Sequence, residues 1–585
     1  MPINNGRRSM TARLPDPHMR YPQDPSTAIS RRRLLIGTAF VAATIATTFS
    51  FGARPASAES VLAMHIEEQT SWVQNFNPFD LGGRRQSTMD FVYEPLVIFN
   101  DYDSGKPIFR LATGYKFSDD LKSITYTLRD GVKWSDGQPL TSADMKFTLE
   151  LMLKNPAVDI VGVGGSVASV EAPSPTEVKI TLKDVDTHFP ESMADFPVVP
   201  EHIWKHVADP LAFKNEKPVG SGPMTEIRRF TPQVYEQCRN PNYWDAASLH
   251  VDCLKLPQIS GNDQMLALLP EGSMDWIGSF LPEIDKTYVA LDKDHNGYWQ
   301  PPAETIAFQM NFKTVNPALA EAFNDINFRH AFSLVMDRTA MVDIAGFGYP
   351  VVNLHASGLP PRFDAWRNKA AEGDKDVWMT YDVDKANKML DDAGYKKGAD
   401  GMRTTPKGQP IAFSIIVPNG WTDWIDAVQI ATEGLRKAGI NASVATPEYE
   451  QWQKQILDGS FDAVMNSRAD GPTPFRGYYQ SLSTAFAGRI TSAPSRYSNP
   501  ELDKVFDAYR KATTDEERKK LFDQVQVIIA DNFPVVPVFN GPTWYQYSTK
   551  RFTGWVTKDE PVMNPEDHDN NRMRLMHLLR LKPVQ

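Results

Sequence analysis

Few residues in this chain have the type and spacing to do chemistry, and the catalytic sets fail first. His202 and His206 stand at i and i+4, the helical spacing of a metal pair. Neither a Glu after His202 nor a third ligand completes the set, so they read as helix-capping residues. The run VGVGGSV (Val161 to Val167) is glycine-rich but lacks the Lys-Ser/Thr of a phosphate loop and reads as a turn. There is no G-x-S-x-G elbow, no H-E-x-x-H helix and no Cys with a partner base. Adjacent acids such as Asp391 and Asp392 belong to solvated helix faces. The sequence thus predicts no catalytic residue, no metal site and no cofactor.

Binding chemistry is better represented. The chain holds 13 Trp, 19 Tyr and 31 Phe, more than packing requires. Trp72, Trp421, Trp424, Tyr478 and Tyr479 fall in loops or at helix starts rather than on apolar stripes. Any one of them fits ordinary packing, but together they suit a cleft that stacks on a ligand. Trp421, Trp424 and Tyr478, with the carboxylates Asp423 and Asp470, make up the candidate ligand set. The plainer alternative is that Trp424 packs under a helix start that Asp423 caps. Cys238 and Cys253 are the chain's two thiols, on what read as neighbouring strands flanking RNPNYWDAASLHVD. A disulfide between them is expected, with two free buried thiols as the alternative.

The elements that would position these residues can be read from local signals. Tyr126 and Leu128 alternate with polar residues as a half-buried strand does, and Asp130-Gly131 and Asp136-Gly137 are tight turns. Thr141 to Asp144 is a capping box opening a helix whose Met145, Leu149, Met152 and Leu153 share one face. Residues 411–417, 423–438 and 440–445 read as strand, helix and strand, a βαβ unit that requires a parallel sheet. At 585 residues the chain is too long for one core, and 41% hydrophobic residues suffice for several.

The string LRDGVKWSDGQPLTSADMKFTLE (Leu128 to Glu150) closely resembles the signature of the extracytoplasmic solute-binding proteins of ABC importers, family 5, which take peptides and oligosaccharides. So do VYEPLVIFN (Val92 to Asn100), Val198 to Trp204, Pro218 to Pro223 and RNPNYWD (Arg239 to Asp245). Met224 stands where the family usually has Tyr. The resemblance implies an α/β fold of the periplasmic binding protein type II kind, two lobes with a hinge plus a smaller extra domain. It places lobe I at 59–100, 216–306 and 541–585, the extra domain at 101–215 and lobe II at 307–540. It further implies a monomer that closes on a small-molecule ligand and hands it to ABC permease subunits of the inner membrane, without enzymatic activity. In peptide-binding members an Asp in the place of Asp470 pairs with the ligand's α-ammonium. PNGWTDWIDAVQIATEGLRKAGI (Pro418 to Ile440) looks more like the saccharide-binding branch, and the reading leans to an oligosaccharide over a dipeptide or oligopeptide. An exported hydrolase is the alternative from a different class.

Residues 1–58 are a separate object. Seven Arg between Arg7 and Arg33 precede the uncharged run Leu34 to Phe51 and the small-residue site Ala56-Ser57-Ala58, the layout of an export signal cleaved after Ala58. Ser30 to Leu35 resembles the twin-arginine motif, which predicts a periplasmic product. Removing eight Arg and two Asp takes the chain from −10 to −16, a field that repels nucleic acid.

Overall fold

The computed structural model describes residues 59–80, 85–468, 471–568 and 571–584. The export segment and Asp470 therefore lie outside the described residues. Three sheets carry the architecture. The first has seven strands, in the spatial order Asn296–Tyr298, Gln546–Ser548, Trp276–Ile277, Val61–His65, Cys253–Pro257, Val234–Arg239 and Met224–Phe230. Val61–His65 lies between two parallel neighbours and is buried along almost its whole length, as a strand covered on both faces must be.

The second sheet runs Val351–Val352, Val536–Pro542, Pro302–Met310, Ala463–Ser467, Ala412–Ile416 and Asn441–Ala445. Ala412–Ile416, helix Thr422–Lys437 and Asn441–Ala445 form the βαβ unit, with Ala412 opposite Asn441 and Ile416 opposite Ala445 in parallel register. Ala427, Val428, Ala431 and Leu435 give that helix its buried stripe against the sheet.

The third sheet is a four-stranded antiparallel unit, Ala112–Phe117, Ser123–Leu128, Glu177–Leu182 and Val167–Ser174. Ile124, Tyr126 and Leu128 point inward and their neighbours outward, the period of two that the sequence displays. Helix Ser142–Lys154 covers this sheet with Met145, Leu149 and Met152 buried, while Leu153 stays half-buried. Its capping box is formed on both sides: Ala143 N donates to Thr141 Oγ1 and Thr141 N to Asp144 Oδ2 (2.9 Å). Asp144 Oδ1 also accepts from Glu201 N (2.9 Å), tying the helix start to the segment that leaves this unit.

Val132 to Ser135 is a short extended piece that the Asp136-Gly137 turn folds back on 138–140, with Trp134 N donating to Gln138 O (2.8 Å) and Leu140 N to Val132 O (2.9 Å). Some local expectations change. Val163–Ser166 makes one helical turn rather than an open turn. His202 does not cap a helix with its side chain but meets Asp136 Oδ2 at 2.8 Å. The glycines of Pro218 to Pro223 serve close approach rather than positive φ: a Cβ at Gly220 would lie 2.2 Å from Val92 O, and one at Gly222 2.3 Å from Phe91 O.

The chain passes between the first and second sheets twice, and the two passages lie side by side. Asn296–Tyr298 pairs with Gln546–Ser548 in the first sheet, and Pro302–Met310 with Val536–Pro542 in the second. Between them Trp299 N donates to Tyr545 O (3.1 Å) and Thr543 N to Pro301 O (2.8 Å), so one antiparallel ribbon runs unbroken across the junction.

Cys238 and Cys253 are direct cross-strand partners in Val234–Arg239 and Cys253–Pro257, and their sulfurs are bonded. The bond closes a 15-residue separation, worth about 3 kcal/mol in the chain-entropy account. Titration of the unfolded, unreduced protein with a thiol reagent is expected to find no free thiol, and reduction to lower stability by about that amount. Two reactive thiols before reduction would reject the bond.

Candidate functional site

A cavity of about 400 Å³ lies against the crossing ribbon and is lined from every part of the chain described above. Ile66 to Gln69 enter it directly after strand Val61–His65, and Gly278 and Phe280 directly after Trp276–Ile277. Asn466 to Arg468 do the same at the end of Ala463–Ser467. Carboxyl ends of sheet strands are where α/β folds leave room for a ligand, because the chain must turn away there. Glu304, Phe539 and Trp544 come from the ribbon itself, Glu191 and Ala194 from the segment after the small sheet, and 564–573 from the C-terminal loop.

Trp421, Asp423 and Trp424 are brought together on one wall by the N-terminus of helix Thr422–Lys437. Trp421 is the N-cap residue, its side chain free to turn toward the cavity because it makes no capping bond. Its ring is held edge-on to Trp424 at 5.0 Å and lies 5.8 Å from Tyr449 and 6.2 Å from Trp452, the last two also lining the cavity. Four rings packed this way make a stiff wall with Trp421 half-buried at its surface and Trp424 almost wholly inside.

The helix obtains its missing cap from Asn262, at the start of helix Asn262–Leu268. With the Asn262 amide turned so that both ends are satisfied, its nitrogen donates to Glu68 Oε1 (3.1 Å) and its oxygen accepts from Thr422 N and Oγ1 (3.1 Å each). Asn262 N also donates to Gly420 O (3.1 Å). The backbones touch here: Gly420 has φ +86°, and a Cβ on it would stand 2.5 Å from Ser260 O. Asp423 is thus not the capping residue.

The acids on the wall differ in their electrostatics. Burial raises the Glu68 carboxyl, but the hydrogen bond and charge of His65 and the hydroxyl of Ser279 (2.6 Å) outweigh it and hold it below its ordinary range. Asp423 is pushed up to about 7, first by burial and then by the charge of Glu68. Glu566 is also raised to about 7, by burial and by the charge of Glu304. The charges of His568 and Arg574 offset only part of that rise at Glu566.

The wall's cations are arranged differently. Arg476, on helix Pro474–Leu482, and Arg572 share Asp195, the latter at 3.3 Å. Arg468 lies with its guanidinium 3.8 Å over the Tyr478 ring. Tyr478 itself is 2% exposed and does not line the main cavity; its hydroxyl donates to Ser357 O (2.9 Å). The sequence expectation that Tyr478 touches ligand is corrected on that ground: the ring is spent as the platform under Arg468. Tyr449, Trp452, Glu68, Asn262, Glu566 and Arg468 line the cavity without having been singled out from sequence.

One other cluster has metal-ligand chemistry. Donor atoms of His355, Glu372 and Asp376 lie within 4.8 Å of one another. His355 Nδ1 is 3.1 Å from Asp376 and 3.3 Å from Glu372, which raise the imidazole to about 9, and Arg367 pairs with Glu372 at 2.8 Å. A protonated imidazole between two carboxylates already balances this group.

Residues 106–488 match the model of the bacterial extracellular solute-binding proteins, family 5. The chain belongs to that family. Among curated relatives, Protein XP55 of Streptomyces lividans is 27% identical over 423 residues, covering 71% of this chain and 73% of the relative. The periplasmic oligopeptide-binding protein OppA of Haemophilus influenzae is 23% identical over 531 residues, covering 85% and 90%. Among solved structures, the mannohexaose-bound periplasmic oligopeptide-binding protein of Thermotoga maritima superposes with a TM-score of 0.80 at 24% identity, covering 90% of this chain and 99% of that one. AppA of Bacillus subtilis, in complex with a nonapeptide, gives 0.75 at 20% identity, covering 90% and 100%. These likenesses establish the fold of the family 5 solute-binding proteins for this chain, and the α/β architecture agrees with it. No helix among the described residues is long and apolar enough to cross a membrane.

The raised Asp423 gives a signed test. A carboxyl titrating near 7 in the folded state and near 4 in the unfolded state keeps its proton on folding between those values, so it lowers stability progressively as pH rises from about 4 to about 7. Asp423→Asn removes this, and its melting temperature is expected to exceed that of the unsubstituted protein more at pH 8 than at pH 4.5. A difference independent of pH, or largest in acid, contradicts the assignment.

Proposed function

We propose that this chain is the substrate-capture component of an ABC importer, exported with cleavage after Ala58, which binds an oligosaccharide in the cavity beside the crossing ribbon and delivers it to permease subunits. Family membership supports capture for import. The observation that supports a sugar is the stiff aromatic wall of Trp421, Tyr449, Trp452 and Trp424 with Asp423 beside it. An indole face buries the C–H side of a pyranose without needing charge, and an adjacent carboxylate accepts hydroxyl donors. Asp470 is proposed as a further acceptor. The protein acts as a monomer and returns its ligand chemically unchanged.

A short peptide is the second reading, supported by charged groups on the same wall that a neutral sugar leaves unmatched, Arg468, Glu304 and Glu566. The relatives from Haemophilus and Bacillus are named for oligopeptides and a nonapeptide.

Calorimetric titration with a panel of oligosaccharides and peptides separates the two. Trp421→Ala is expected to weaken saccharide binding by about 2 kcal/mol, roughly thirtyfold, as loss of a buried aromatic anchor does. If peptides bind, saccharides do not, and Trp421→Ala changes peptide affinity by less than about threefold, the saccharide assignment is wrong. Saturable hydrolysis of any bound solute would sink the capture reading altogether.

A further inference from the structure

We propose that Arg468 is the anchor for a carboxylate carried by the captured solute; this rests on the capture reading and narrows its ligand class. Arg468 directly follows strand Ala463–Ser467, and its N–H donates to Thr305 O (3.1 Å), so its backbone is fixed by the second sheet. The side chain reaches the cavity wall and is only 4% exposed. Its guanidinium is positioned twice over, by the Tyr478 ring 3.8 Å beneath it and by Nη1 donating to Ser357 O at 3.2 Å. Tyr478 is locked in turn because its hydroxyl donates to the same carbonyl.

Among the described residues, what Arg468 lacks is a counter-charge. Arg476 and Arg572 share Asp195, and nearby Arg362 pairs with Asp101 at 2.9 Å. Among the described residues no carboxylate lies within ion-pair distance of Arg468, not even Glu304, which shares with it the wall of a small side pocket. A cation taken out of water is unfavourable until an anion meets it, and truncating or supplying the partner of such a charge has a large effect. The guanidinium carries five N–H donors in a fork shaped for a carboxylate, and one of the donors is occupied by Ser357. Hydroxyls of a neutral sugar would satisfy the donors but not the charge.

Glu304 and Glu566 face the same cavity, and the charges of His568 and Arg574 offset burial at Glu566 only in part, so a solute with several carboxylates would be disfavoured. The combination fits a solute with one carboxylate and a remainder rich in hydroxyl or amino groups. An acidic sugar at the end of an oligosaccharide and the C-terminus of a short peptide both present that chemistry.

The test uses four defined probes: maltotrionate, which carries a single carboxylate, and neutral maltotriitol, then trialanine and trialaninamide, titrated into the full-length protein. One acid is expected to bind about tenfold or more tighter than its neutral partner, the margin of a charge-assisted pair, and which acid does so tells sugar from peptide. Arg468→Gln should bring that acid down to the neutral level, while Arg468→Lys, keeping charge but losing the fork, should fall between. The acid–neutral comparison on the unsubstituted protein needs no variant to fold, and melting curves of the two variants check that they do. Acid and neutral forms binding within about threefold of each other, or a discrimination that survives Arg468→Gln, overturns the anchor while leaving capture intact. If none of the four binds, the anchor falls, while capture is judged by the wider panel of oligosaccharides and peptides.

Discussion

The pairing of the two crossing strands is the constraint on which the rest of the molecule depends. Pro302–Met310 and Val536–Pro542 pair across 240 residues of sequence at Pro302 and Pro542, a span that holds almost the whole second sheet with its helices. Because they pair with each other and continue into Asn296–Tyr298 and Gln546–Ser548, both sheets are attached to one hydrogen-bonded ribbon. Such a ribbon can bend and twist without breaking its ladder, whereas two independent linkers would leave the sheets unregistered. The cavity sits against this ribbon, which is why residues as distant in sequence as Ile66, Glu304, Trp421 and Glu566 share its wall. Hinge closure in binding folds is accommodated at a few such junction residues.

Contacts away from the ribbon then fix how the sheets face each other. On one side Asn262 caps helix Thr422–Lys437 and the Gly261 and Gly420 backbones touch. On another, Thr187 N donates to Arg510 O (2.7 Å) and Arg510 pairs with Asp186, joining the small antiparallel unit to helix Pro500–Lys511. Asp195 draws in Arg476 and Arg572 together. Individually these polar contacts are modest, since each replaces hydrogen bonds to water. Charges facing inward behave differently from those at the edges. Burial, and then the like charges of Glu68 and Glu304, raise the carboxyls of Asp423 and Glu566, and a ligand of complementary charge relieves the same cost.

Local signals carried much of the fold. The capping box at Thr141, the stripe on helix Ser142–Lys154 and the βαβ unit of 412–445 form where the sequence indicates, because each is decided by residues within a few turns of one another. The hairpin at 132–140 is local in the same sense, since the Asp136-Gly137 turn directs the short extended piece back on itself. The site was legible in part. Trp421, Asp423 and Trp424 stand out because aromatics at a helix start are unusual, and they do share a wall. Tyr478 has the same local appearance, yet tertiary packing buries it under Arg468. Glu68 and Arg468 gave no local sign; what marks them is that each follows a strand of an α/β sheet, and strand ends are where such folds open. Asn262 as an external cap depends on a contact across 160 residues, which no pattern within the chain announces.

Native mass spectrometry of the exported protein, equilibrated with the solute mixture of its own growth medium and then unfolded, tests capture most directly. The account predicts one small solute bound per chain, released on unfolding with its mass unchanged after prolonged incubation. Recovery of cleaved product, or a protein that carries no solute under any medium while remaining folded, contradicts it.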